Sequence, residues 1–219
     1  MYYQNGTIID TRNDNYGLRN GLCHNSSKSV DFILSAAKKT DLPISLFYYM
    51  IIDPLSIELK ILMNNKSTIK LKKLVSFVNY DRDVDVDLIK HYLQLSPKNE
   101  ESLVSGYDIW ENIGERIRKQ YFVAMPSRID SYFLFDDLKS ANYYLKEHNK
   151  PHIIVEVEIL NQIVLETFDM SIWDIDNNNV PYSECEANMK RYWESNNASQ
   201  MIYPEILFQG ELKLGKIVS

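Results

Sequence analysis

Ile129-Asp-Ser-Tyr-Phe-Leu-Phe-Asp-Asp-Leu-Lys-Ser-Ala-Asn-Tyr-Tyr144 sets a short apolar run, Tyr132 to Phe135, directly ahead of a segment patterned as a helix over 137–147. Strands and helices are interleaved irregularly along the rest of the chain. Upstream, Ser29 can cap a helix to about residue 39, since Val30, Ile33, Leu34 and Ala37 fall at i, i+3, i+4 and i+7. Lys38 and Lys39 suit its C-terminal end, and Pro43 stops it. Further helices are expected from near Asp85, burying Leu88, Ile89, Tyr92 and Leu93, over 107–120 with Ile109, Ile113 and Ile117 on one face, and over 186–194.

Strands fill the gaps. Ile8-Ile9 follow an Asn5-Gly6 turn, and the run from Leu46 to Ile52 is short, apolar and aromatic. Ile57, Leu59, Ile61 and Met63 alternate with mostly polar neighbours, as do Ile153, Val155, Val157 and Ile159. Val164-Leu165 read as another strand, and 205–208 and 211–218 as two more joined at Gln209-Gly210. No even βαβ rhythm and no internal repeat is present, so the pattern predicts an α+β fold. No linker-like run divides the chain. A single domain over 1–219 is expected, with 55–105 as an inserted helical segment.

The 219 residues suffice for an ordinary hydrophobic core without metal or disulfide staples. Only 7 glycines occur where average usage of ~7% would give about 15, and no G-x-G-x-x-G or G-x-x-x-x-G-K-S/T is found. Dinucleotide and P-loop signatures are therefore excluded. Two cysteines, Cys23 and Cys185, make neither a disulfide framework nor a zinc motif. No run approaches the ~18 apolar residues of a membrane span, and the N-terminus lacks a signal-peptide layout, so a cytoplasmic protein with no membrane partner is expected. The net charge of -6 weighs against non-specific nucleic-acid binding; Lys66, Lys70, Lys72 and Lys73, and Arg116, Arg118 and Lys119, read as solvated faces.

Metal and nucleophile motifs fail on inspection. A calcium loop needs Gly at its sixth position and Glu at its twelfth; starting from Asp81 those are Val86 and Tyr92, and starting from Asp174 they are Asn179 and Cys185. The histidines form no metal-binding spacing, and Cys23-His24 are only sequence neighbours. Ser127 and Ser131 lack a nucleophile elbow. Glu156 and Glu158 share one strand face, which would suit a metal-dependent nuclease, but no Lys two residues on completes such a core. Metal ligands are expected to be absent.

Three stretches place polar residues beside short hydrophobic strands: Glu115 to Arg128, ending Met-Pro-Ser-Arg; the opening stretch itself; and Arg191-Tyr-Trp193 with Tyr203-Pro-Glu-Ile-Leu-Phe-Gln-Gly-Glu-Leu-Lys-Leu214. Taken together, over roughly residues 115–214, they resemble the ADP-ribosyltransferase superfamily. In poly(ADP-ribose) polymerases the strand bearing the nicotinamide-stacking tyrosine leads into a helix with a Lys-Ser-Ala-Asn-Tyr run; here Tyr132-Phe133 precede Lys139-Ser-Ala-Asn-Tyr143 at the same interval. The family's catalytic glutamate opens a late strand, as Glu205 does. The resemblance extends to an uncharacterised bacterial family and to toxin and phage-defence members of the superfamily.

That resemblance implies split, mostly antiparallel sheets flanked by helices, and NAD+ as substrate. It implies Glu205 as the carboxylate that steadies a ribosyl cation, Tyr132 as the ring on the nicotinamide, and Arg128 on the pyrophosphate. Ser127 and Ser131 would bond ribose or amide, and Tyr143 and Gln4 would complete the cofactor site. Gln4 stands where the family's first motif has His or Arg. Tyr203 stands two residues before Glu205, where arginine-modifying members carry Gln or Glu, which points to a nucleic-acid acceptor such as RNA. The implied role is a bacterial toxin or phage-defence effector with an antitoxin partner. A protein-targeting transferase and a catalytically inactive interaction module of the same fold are the alternatives.

Overall fold

A computed structural model describes residues 4–22, 27–97, 106–148, 153–175 and 177–218. In chain order the elements are β1 (Ile8–Asp10), α1 (Tyr16–Asn20), α2 (Lys28–Thr40), α3 (Ile44–Ile52), α4 (Pro54–Leu62), β2 (Thr68–Lys70), α5 (Leu71–Leu74) and β3 (Asp83–Asp85). They continue with α6 (Val86–Leu95), α7 (Gly106–Tyr121), β4 (Tyr132–Leu134), α8 (Leu138–His148), β5 (Val155–Asp169), α9 (Met170–Trp173), α10 (Tyr182–Glu194) and β6 (Pro204–Ile217). The fold is mixed α+β with antiparallel sheets.

The chain forms two compact units: Met1–His24, Gly114–Asp174 and Met189–Ser219 make the first, Asn25–Ile113 and Ile175–Asn188 the second. The described part of 55–105, expected as an inserted segment, falls wholly within the second unit.

The second unit is mainly helical, with the β2–β3 pair as its sheet. Two expected strands are helices here. Leu46 to Ile52 lies in α3, because a continuous apolar run carries no period and the surrounding burial of Ile44, Leu46, Phe47 and Met50 decides its form. Over 57–63, Asp53 caps α4 by accepting from Ser56 N at 3.3 Å, and Pro54 occupies its first turn, where a missing N–H costs nothing. Its buried positions are Ile57 and Ile61, four apart, while Leu59 and Met63 are exposed, so the apparent alternation is half of a helical stripe. Ser27, not Ser29, caps α2, and Asp85 caps α6. Cys185 is buried here, and burial pushes its thiol up to about 12, which rules out a reactive thiolate at neutral pH.

In the first unit β6 is the central strand. One edge pairs with β5 along nearly its whole length; the other pairs with β4 near its start and β1 near its end. The two strands expected over 205–218 are thus one, as are those over 153–165 beyond Val155. Gly210 makes this continuity possible: at φ 148° it passes through a bulge where a Cβ would stand 2.0 Å from the Asn161 carbonyl oxygen.

Alternation gives β6 two different faces. Ile206, Phe208, Leu212 and Leu214 meet Ile9, Tyr132, Leu134 and Leu165 in an apolar cluster. Glu205 and Leu207 point the other way, opposite Phe168 and Phe133 in register. Tyr132 faces Phe208 and Glu205 faces Phe168, so the two lie on opposite faces of the sheet.

Candidate functional site

The second face of β6 carries a buried polar cluster within the first unit. Glu205 is fully buried; its Oε1 accepts from the Tyr192 hydroxyl at 2.8 Å and from Arg128 Nη1 in an ion pair. Arg128 Nη1 also donates to the Tyr192 oxygen at 2.6 Å, closing a triangle. Aromatic rings enclose the guanidinium: its carbon lies 3.9 Å from the Trp173 ring centre, 4.6 Å from Phe133 and 5.1 Å from Tyr192. Complete burial, with the nearby Glu205 charge, pushes the Tyr192 hydroxyl well above the usual tyrosine range, so it stays protonated and donates. The second oxygen, Glu205 Oε2, is buried and has no hydrogen-bond partner among the described residues.

Local structure fixes each member. Arg128 sits in the loop between α7 and β4, where Ser131 N bonds the Arg128 carbonyl at 3.1 Å and Ser131 Oγ bonds the Ser127 carbonyl at 2.7 Å. Arg118 holds the start of that loop through the Met125 carbonyl at 2.8 Å while its fork engages Glu115. Burial would raise the Glu115 pKa, but the Arg118 contact outweighs it and holds it low. Gly17 N and Tyr16 N bond the carbonyls of Ile129 and Ser131, an approach so close that a Cβ at Gly17 would lie 2.4 Å from Ile129 Cγ2.

Asp169 sets the start of β6. Its carboxylate accepts from Ile202 N at 2.9 Å, Tyr203 N at 3.2 Å and Ser171 N at 3.0 Å, tying the end of β5 to the residues just before Glu205. Burial opposes ionisation there, and these donors overcome it, so its pKa is lowered.

A second carboxylate belongs to the same surroundings. Asp174 ends α9 and is solvent-exposed on one side. The protein packed against its carboxyl, then the charge of Glu205, push its pKa up to about 6, while Arg128 and a hydrogen bond from Tyr143 pull the other way. The Tyr143 ring stacks on Tyr203 at 3.8 Å with 8° between planes, and Lys139 Nζ lies 4.8 Å from the Tyr203 ring centre.

Of the residues proposed from sequence, Arg128 and Glu205 touch, and Tyr143 stacks on Tyr203, two residues before Glu205. Ser127 and Ser131 are buried and shape the Arg128 loop, with Gln209 Nε2 donating to Ser131 Oγ at 3.3 Å. Tyr132 does not share the site. Its ring packs on the apolar face, and its hydroxyl accepts from Arg19 Nη2 at 2.6 Å. Strand parity is the reason: Phe133, one residue on, faces Arg128 instead. Gln4 is exposed beside the far end of β6, where Gly6 N bonds the Leu214 carbonyl, nine residues past Glu205. Arg128 is enclosed by rings and committed to Glu205 and Tyr192, so a pyrophosphate role does not fit it. Cys23, His24 and His152 lie outside the described residues. Glu156 and Glu158 pair with Lys216 and Lys213 at 3.3 and 3.5 Å, a solvated edge rather than a nuclease centre.

Sequence reading missed Trp173, Asp174 and Tyr192 as members. In the sequence Asp174 stands out only as a failed calcium-loop position, and Arg191-Tyr-Trp193 carries the signal for Tyr192 without saying which of the three turns inward.

The DUF2441 family, described as proteins of unknown function, matches residues 53–219, well over half of the chain, and the protein belongs to it. That span includes Arg128, Tyr143, Asp174, Tyr192 and Glu205 and leaves out Gln4. No curated protein matches the chain. Among the described residues no group of His, Cys, Asp and Glu is arranged to hold a metal ion, and no helix is long and apolar enough to cross a membrane.

Proposed function

We propose that this protein is an NAD+-dependent mono-ADP-ribosyltransferase in which Glu205 meets the ribose of the substrate. The observation that supports it is the half-satisfied carboxylate. Oε1 is clamped by two donors from distant parts of the chain, while Oε2, equally buried, has none among the described residues. A buried polar atom left without a partner costs about 1–3 kcal/mol, and a sugar hydroxyl is a donor that would satisfy it. Arg128 and Tyr192 then serve to aim the carboxylate. Contact with Oε2 requires the side chains enclosing it to move apart, since Glu205 is fully buried.

The acceptor in this proposal is a nucleic acid, RNA foremost, and the biological role that of a bacterial toxin or phage-defence effector. Its support is the Tyr143–Tyr203 pair beneath Lys139, since flat rings with a nearby cation are the chemistry that holds an unpaired base. A second reading, the catalytically inactive interaction module, is favoured by one observation: the complete enclosure of Glu205, which would serve a structural ion pair equally well.

Incubation with labelled NAD+ and separate cellular RNA, DNA and protein fractions separates them. The enzyme reading expects nicotinamide release and label in one fraction, with Glu205→Gln lowering both by about 100-fold or more. Absence of both from the folded wild-type protein leaves the module reading.

A further inference from the structure

We propose that the solvent face of α4 is the docking surface for an amphipathic helix of another protein, one that carries acidic residues along a margin of its apolar stripe. Every residue concerned belongs to the second unit, and the inference does not depend on the NAD+ reading.

α4 bears two apolar faces. Ile57 and Ile61 are buried and hold it to the unit. At about 100° per residue, Leu55, Leu59 and Leu62 lie roughly 150° further round the helix, along one line. With Met63 beside them, they are between 59% and 83% exposed. A surface helix ordinarily turns its polar side to water. Here only Ser56, Glu58 and Lys60 are polar from Leu55 to Leu62, and they lie between the two apolar faces. Leucines four and three apart are the repeat by which one helix seats against another.

Charge borders this line. Residues 53–74 hold Lys60, Lys66, Lys70, Lys72 and Lys73 against Asp53 and Glu58, a local positive excess in a chain of net charge -6. Lys60 Nζ donates to the Leu74 carbonyl at 2.9 Å, which sets α5, with Lys72 and Lys73, along one flank of α4. Asn64 Nδ2 donates to the Lys66 carbonyl at 2.8 Å and holds the turn that places Lys66 just past the C-terminal end of α4. Lys66, Lys72 and Lys73 are exposed, whereas Lys70 pairs with Asp83 at 3.0 Å. Hydrocarbon bordered by ammonium groups is complemented by leucines bordered by carboxylates.

Size and charge select this occupant over two others. The four side chains present roughly a few hundred Å² of hydrocarbon, the scale of one docked helix, where a stable dimer buries ~800 Å² on each partner. A second copy would also bring its own lysines against these. An anionic membrane extends past the patch and would meet the net negative charge of the remaining chain, whereas a slim helix meets the lysines alone.

The probes are two fluorescent three-heptad peptides with leucine at the seam positions, one flanked by glutamate and the other by lysine, read by fluorescence anisotropy against the full chain. Expected is micromolar binding of the glutamate peptide, about tenfold or more tighter than the lysine peptide and weakened by salt. The double variant Leu59→Ser/Leu62→Ser should weaken it by about tenfold or more, and Lys66→Glu/Lys72→Glu/Lys73→Glu should reverse the preference between peptides. All substituted side chains are exposed, and near-UV circular dichroism confirms that both variants fold. Equal binding of the two peptides, no binding of either, or affinities unchanged in the variants overturns the proposal. So does a wild-type dimer in sedimentation that Leu59→Ser/Leu62→Ser dissociates, which assigns the face to a second copy. Binding to phosphatidylglycerol vesicles that the same variant abolishes overturns it in favour of a lipid surface.

Discussion

One face of β6 is hydrocarbon and the other is an enclosed ion pair, although both belong to the same strand. Phe208 and Leu212 pack against Ile9 and Leu134 in a cluster with no charge to satisfy. Three residues before Phe208, Glu205 is just as buried but needs Arg128, whose guanidinium is faced by three aromatic rings, and the hydroxyl of one of them, Tyr192. Removing hydrocarbon from the first face forfeits contact area. Removing one partner from the second strands a charge. Replacing such a pair by well-packed apolar groups is often neutral or stabilising, so a buried pair is weak grounds for stability and better grounds for asking what else it does.

The largest effect should come from Arg128→Met, which leaves the Glu205 carboxylate buried and unpaired; about 3–5 kcal/mol of stability should be lost in urea denaturation. Adding Glu205→Leu should restore most of it, and a double variant no better than the single would break the contrast between the faces. Next, Phe208→Ala should cost about 3 kcal/mol by opening a cavity, with no rescue from a second-site change on the polar face. Gly210→Ala should cost roughly 1–3 kcal/mol, read from the thermal midpoint, because alanine must hold a positive φ against a backbone oxygen.

A smaller effect concerns pH. The Asp174 carboxyl binds its proton more tightly folded, near pH 6, than unfolded, near 3.8. Its contribution is therefore greatest below pH 3.8, falls as pH rises towards 6, and is level above. Asp174→Asn should remove that descent from the difference in denaturation midpoints between pH 4 and 7. Smallest of all, Arg12→Ala breaks an exposed pair with Asp10 and should leave the thermal midpoint unchanged.

The sequence made the helices over 28–40, 86–95 and 106–121 legible because each buries one stripe against a polar remainder. It misassigned α3 and α4 for opposite reasons: α3 is apolar nearly throughout, and α4 exposes enough leucine to imitate a strand. Arg128 and Glu205 were readable as a pair only through motif order, since nothing local says that residues so far apart meet. The error over Tyr132 was one of parity. Two adjacent aromatics on a three-residue strand must face opposite ways, and only the pairing with β6 says which faces Arg128. Asp174 owes its character to neighbours from other elements, none of them close in sequence.

Asp169 touches neither Arg128 nor Glu205 in any bond described, yet three backbone donors converge on it where β5 hands over to β6. Its loss would let the first residues of β6 slide, and the acid at position 205 would drift with them. A screen that scores only lost activity would then nominate a turn as chemistry. Soaking such a variant in a stabilising osmolyte, which can mend a slack turn and cannot replace a reacting group, is the way to tell anchor from tool.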